Sequence, residues 1–196
     1  MFDGVLASFD VGFTRLLIQM TKRDAFLPFT PERGPRAWDW FYHDGYTREE
    51  VEKAWAEINR QSNWWMRLAP LSGASTLAMT IVDLERHHDI YFITSRASTP
   101  NAKAQTELWL QSYIGLPRPT VLISSQKGLA AQALMLDAYI DDNVDNVLDV
   151  AGVAKAYNAE RKVFLLDKDY NQGALTPNVT RVRSVGQMLD YLVLNL

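Results

Sequence analysis

Cysteine is absent from the 196-residue chain, so it holds no disulfide framework, no thiolate nucleophile and no cysteine-ligated zinc. Histidine is scarce. The three present, His43, His87 and His88, include no spaced ligand pair, which argues further against zinc. No excess of positive charge exists either: 20 Lys and Arg stand against 23 Asp and Glu, for a net charge of −3 and a pI near 5.6. That balance argues against a general nucleic-acid binder, which would show a basic face, and leaves room for a local basic pocket that takes a small anionic partner. No apolar run approaches the ~20 residues that span a bilayer, and the N-terminus lacks a basic region followed by an apolar core and a cleavage site. The expectation is a cytoplasmic protein with no membrane partner. A hydrophobic content of 47% suits one domain with a sizeable core and an inserted subdomain.

From Ser72 onward, helical and strand patterns alternate. Residues 73–86 carry apolar positions at helical spacing, and Ile90-Tyr91-Phe92-Ile93 reads as a buried strand ending at Thr94-Ser95. Thr99-Pro100 predicts the start of a helix through Leu108, Trp109 and Leu110, which Gly115 stops. Thr120 to Ser124 is the next strand. A short helix from Gly128 to Met135 leads into the strand Ala138-Tyr139-Ile140, and a helix after Asn143 precedes the strand Lys162 to Leu166. Ser184 caps a final helix. Strands separated by helices of this length need parallel crossovers, so the expected body is a three-layer α/β sandwich with its site at the carboxyl ends of the strands.

Residues 10–70 read differently. They hold five of the six tryptophans and the Pro28/Pro31/Pro35 loop. Thr47 and Glu50 form a capping-box pair ahead of Val51, Ala54, Trp55 and Ile58. This segment is expected to be a helical cap inserted into a core made of residues 1–9 and 71–196, placed to close over the site and exclude water.

Four features, in order, carry the chemistry: Asp3-Gly4, Thr94-Ser95, Lys127 and Asp141-Asp142. A carboxylate, a hydroxyl at a strand end, a lysine and a closing acidic pair are the parts that hold a divalent cation against a phosphoryl group. Each has a plain alternative: an ordinary turn, a helix cap, a solvated lysine. Asp141-Asp142 resists it best, because adjacent carboxylates after an apolar strand repel one another unless a cation or basic partner is present. A phospho-acceptor receiver domain uses similar residues, but there the acidic pair comes first.

These segments, Met1-Phe2-Asp3-Gly4-Val5, Phe92-Ile93-Thr94-Ser95, Lys127 and Tyr139-Ile140-Asp141-Asp142, resemble the four motifs of the haloacid dehalogenase superfamily of phosphatases. Within it, Gly4 to Phe9, Trp64 to Ala74 and Ile140-Asp141-Asp142 look like segments of the 5'(3')-deoxyribonucleotidases. The resemblance implies a Rossmann-like sandwich with a small cap, and a Mg²⁺-dependent phosphomonoesterase that dephosphorylates (deoxy)nucleoside monophosphates through an aspartyl-phosphate, with a homodimer left open. It gives Asp3 the role of general acid/base, its carbonyl ligating Mg²⁺. Thr94 and Ser95 would hold the phosphoryl oxygens, and Lys127 would neutralise their charge. Asp142 would bind Mg²⁺ with Asp141 in support, and Phe9, Trp64 and Trp65 would face the nucleobase, core packing being the equal alternative for the tryptophans.

The chain departs from the family where the nucleophile belongs. Met1 stands at the position of the attacking aspartate and offers neither a nucleophile nor a metal ligand. The family's central first strand would precede it, which leads to the expectation that the sequence is a shortened form of a longer one. The alternative function is a catalytically silent nucleotide- or phosphate-binding protein of the same fold.

Overall fold

In a computed structural model the chain is described over residues 2–23, 27–71, 73–96, 101–157, 160–174 and 176–195. The expectations placed on Met1, Ser72, Thr99 and Pro100 lie outside the described residues. The apolar runs form short parallel strands: β1 (Tyr91–Thr94), β2 (Thr120–Ile123), β3 (Ala138–Asp141), β4 (Lys162–Leu166) and β5 (Thr180–Val182). β1 pairs with β2, Thr94 opposite Ile123, while β3, β4 and β5 make a second sheet in that order. Among the described residues no ladder joins β1 to β3, so the expected single sheet is divided between them.

The helices are α1 (Phe9–Thr21), α2 (Trp40–His43), α3 (Arg48–Arg60), α4 (Ala74–Leu84), α5 (Ala102–Tyr113), α6 (Lys127–Ala133), α7 (Val144–Tyr157) and α8 (Val185–Asn195). Their ends follow local signals. Thr47 Oγ1 accepts from the Glu50 amide at 3.2 Å while Glu50 Oε2 accepts from the Thr47 amide at 2.7 Å, a reciprocal box that satisfies two orphan donors at the start of α3. Ser184 Oγ accepts from the Gln187 amide at 3.0 Å and starts α8. After α5, Gly115 takes a left-handed φ of 82°, and its amide donates to the Leu110 carbonyl at 3.1 Å, ending the helix.

Strand alternation divides the core in two. Ile93, Tyr139, Val163 and Leu165 join Ala130, Ala131, Val147 and Val150 from α6 and α7. Their sequence neighbours Phe92, Phe164 and Leu166 join Ile81, Trp109, Leu110 and Met188 from α4, α5 and α8. Both faces of the strands are therefore apolar, as parallel strands require. The second cluster continues without a break into the inserted segment through Phe13, Trp40, Ile58 and Trp64. Trp109 is wholly buried at its centre, edge-on to Phe2 with centroids 4.7 Å apart, and donates from Nε1 to the Leu68 carbonyl at 2.8 Å. Truncating such a residue costs about 3–5 kcal/mol. Among the described residues, no helix is long and apolar enough to cross a membrane.

Candidate functional site

The N-terminal turn brings the motif residues together. The Phe2 carbonyl accepts from the amides of Leu6 and Ala7 at 2.9 and 3.2 Å, and the Gly4 amide donates to the Ala7 carbonyl at 2.9 Å. Two further bonds, Leu71 amide to Leu6 carbonyl and Ser8 amide to Ala69 carbonyl, fasten the turn to the exit of the inserted segment. Gly4 has φ +72°, and a Cβ on it would stand 2.1 Å from Asp142 Oδ2. Only glycine both adopts that backbone and lets it approach the carboxylate so closely. The turn thus meets the end of β1 through Asp3 and the residue following β3 through Gly4.

Asp3 is fully engaged. Its Oδ2 accepts from Thr94 Oγ1 at 3.0 Å and from Arg96 Nε at 2.9 Å, and its Oδ1 accepts from Arg96 Nη2. Arg96 spends its remaining arm on Thr106 Oγ1 at 2.9 Å, and its guanidinium lies over the rings of Phe2 and Trp65, 4.6 and 4.0 Å from their centroids. The guanidinium is buried, so its desolvation is offset by a forked ion pair, a hydroxyl and two aromatic faces. The sequence reading missed Arg96. Its one local signal is its place directly after Thr94-Ser95.

Lys127, at the start of α6, is buried, and its Nζ donates to the Ser124 carbonyl at 2.6 Å. Burial lowers its pKa to about 8, against the opposing pull of Asp141, Asp3 and Asp142. One lysine therefore lies in the field of all three carboxylates. Asp142 is buried too. Desolvation, reinforced by the charge of Asp141, pushes its pKa up to about 8, while a hydrogen bond from the Tyr170 hydroxyl to Oδ2 and the charge of Lys168 act the other way. Its second oxygen, Oδ1, is buried with no hydrogen-bond partner among the described residues.

Tyr170 owes its position to the inserted segment. Arg33 pairs with Asp167 at 3.0 Å and with Asp169 at 2.5 Å, Lys168 Nζ donates to the Glu32 carbonyl at 2.9 Å, and Trp38 packs edge-on against the Tyr170 ring. These contacts fasten the loop after β4 to residues 31–38.

The remaining expected residues divide. Asp141, expected to support a metal, spends its side chain on structure: Oδ1 accepts from the Asn143 amide at 2.9 Å and from Asn146 Nδ2 at 3.2 Å, and Oδ2 accepts from the Tyr139 hydroxyl. It braces the start of α7, whose cap is Asn143: Asn143 Oδ1 accepts from the Asn146 amide at 3.1 Å. Ser95 is exposed and donates to the Ser124 carbonyl at 3.3 Å. Trp64 and Trp65 are buried, packed against each other and against Phe9 at centroid distances of 4.7, 5.9 and 5.8 Å. Both serve as core, and Trp65 is also part of the platform for Arg96.

Among the described residues, no group of three His, Cys, Asp or Glu side chains is placed to hold a metal ion. The unpartnered Oδ1 of Asp142 does fit a hard cation taking one protein carboxylate and completing its shell from water and phosphate, the ordinary habit of Mg²⁺. Chemically, the arrangement can neutralise an anion with Lys127 and offer one carboxylate oxygen to a cation, while the hydroxyls of Thr94 and Ser95 already donate to Asp3 and to the Ser124 carbonyl. Comparison with known protein families and with curated proteins finds no match to this chain.

Proposed function

We propose that the chain handles phosphate monoesters of the nucleoside monophosphate class at the meeting point of Asp3, Thr94, Lys127 and Asp142, in a haloacid dehalogenase-like three-layer fold. One observation carries this reading: ionisable groups from separate segments, Asp142 buried and Asp3 half-buried, stand around a single buried lysine, and Asp142 Oδ1 has no hydrogen-bond partner among the described residues. Burying such groups is costly, and packing alone would not retain them. The separation of apolar residues onto both strand faces supports the layered architecture.

Thr94 and Ser95 would turn their hydroxyls from Asp3 Oδ2 and the Ser124 carbonyl to phosphoryl oxygens, and Lys127 would neutralise them. Asp142 would hold Mg²⁺, which when bound supplies further charge neutralisation at the phosphate. Asp3 would exchange a proton with the ester oxygen. That last role requires Asp3 to release a bond to Arg96 or Thr94, because both of its oxygens are occupied. The same fact favours a second reading, a phosphate- or nucleotide-binding protein without turnover.

Phosphate release from deoxynucleoside monophosphates with Mg²⁺, measured beside calorimetric binding of the same compounds, tests both. Turnover lost in Asp3→Asn establishes the esterase. Binding that is lost in Lys127→Gln, without turnover, establishes the silent binder. Absence of both binding and turnover refutes the proposal.

A further inference from the structure

A cleft of about 340 Å³ runs along α1, between that helix, Gln61 after α3 and residues 64–69. Its wall includes Ser8, Arg15, Gln19 and Arg67, and its lining residues include no acid. Neither arginine forms an ion pair among the described residues, although most exposed arginines of the inserted segment do. Ser8 precedes α1 but does not cap it with its side chain, and its Oγ is buried without a hydrogen-bond partner among the described residues. A buried hydroxyl left unpaired at the base of a cleft carries a desolvation cost that a ligand would relieve. The floor is apolar. A Cβ at Gly12 would lie 2.5 Å from Leu68 Cδ2 and 3.6 Å from Trp64 Cζ2, so the helix and the 64–69 segment are in close contact there.

We infer that this cleft is a second ligand site, for a small organic anion. A phosphate or carboxylate head lies between Arg15 and Arg67, which pair with such oxyanions in forked geometry. A polar group of the ligand reaches Ser8 Oγ and the Gln19 amide, and its apolar part covers Val11 and Leu68. None of the four residues of the site proposed above lines this cleft, so the inference does not rest on that reading.

The test is residue-resolved NMR titration of the whole chain with phenyl phosphate and, separately, with benzoate. The Gly12 amide and the Trp64 indole should shift with at least one probe. A response to phenyl phosphate alone assigns a phosphate head, and a response to benzoate shows that a carboxylate suffices. The double variant Arg15→Gln/Arg67→Gln, at exposed and unpaired positions, should keep the melting temperature and weaken that response by about tenfold or more, the loss of charge-assisted bonds. An unchanged affinity in the double variant overturns the inference. So does a titration that perturbs Gly128, beside Lys127, while leaving Gly12 and Trp64 unmoved.

Discussion

Arg96 grips both carboxylate oxygens of Asp3, a residue 93 positions away in the chain, from beneath a roof of two aromatic rings. The pair closes one side of the site and holds the N-terminal turn against β1. Removing the guanidinium would leave a partly buried carboxylate with one hydroxyl partner. Arg96→Ala should therefore lose about 3–5 kcal/mol of stability in urea denaturation, and Arg96→Lys less, since it keeps the charge without the fork. A loss below about 1 kcal/mol would show that the pair contributes little net stability.

Asp142 should behave in the opposite way. Its pKa in the folded protein is raised from 3.8 to about 8, so the folded state holds its proton more tightly than the unfolded state does. Its stabilising contribution is present below pH 4 and is lost as pH rises toward 8. Asp142→Asn removes that loss. At pH 8 the variant should be more stable than the parent by roughly 2–4 kcal/mol, and the gap should close toward pH 4. Thermal melts across this range decide it. Added Mg²⁺ should raise the parent's melting temperature and leave the variant's unchanged.

Lys127 sets a limit on anion binding from the alkaline side. With its pKa lowered to about 8, the ammonium is present at pH 7 and disappears as pH passes through 8. Affinity for a deoxynucleoside monophosphate should fall between pH 7 and 9, and Lys127→Gln should bind weakly with no such decline. Calorimetry at several pH values reads both.

Thr47→Ala tests the inserted segment. The substitution deletes the acceptor for the Glu50 amide and should cost about 1 kcal/mol, seen as a lower denaturation midpoint with an unchanged slope.

Much of the fold was legible because its signals are local. The strands ending at Thr94, Ile123 and Asp141 are compact apolar runs, and the Thr47 box, the Ser184 cap and the Gly115 stop are each written within a few residues. β5 was not legible, since Thr180–Val182 is too short for an alternation to register and gains its place by pairing with β4. At the site, Asp3, Thr94, Lys127 and Asp142 could be read from order and type. Arg96 and Tyr170 could not, because their partners lie 93 and 28 residues away and no spacing rule links them. Asp141 shows the converse: its bond from the Asn143 amide two residues on is an ordinary turn at a helix start, which an acidic pair after an apolar strand does not by itself announce.

The unbroken apolar cluster from Phe92 and Trp109 through Phe13, Trp40 and Ile58 makes the inserted segment inseparable from the body. Excising residues 10–70, or grafting them onto another scaffold, would expose Phe2, Trp109 and their neighbours to water instead of yielding two modules. Heating should accordingly produce a single absorption of heat whose calorimetric and van't Hoff enthalpies agree, with no earlier step for the inserted segment.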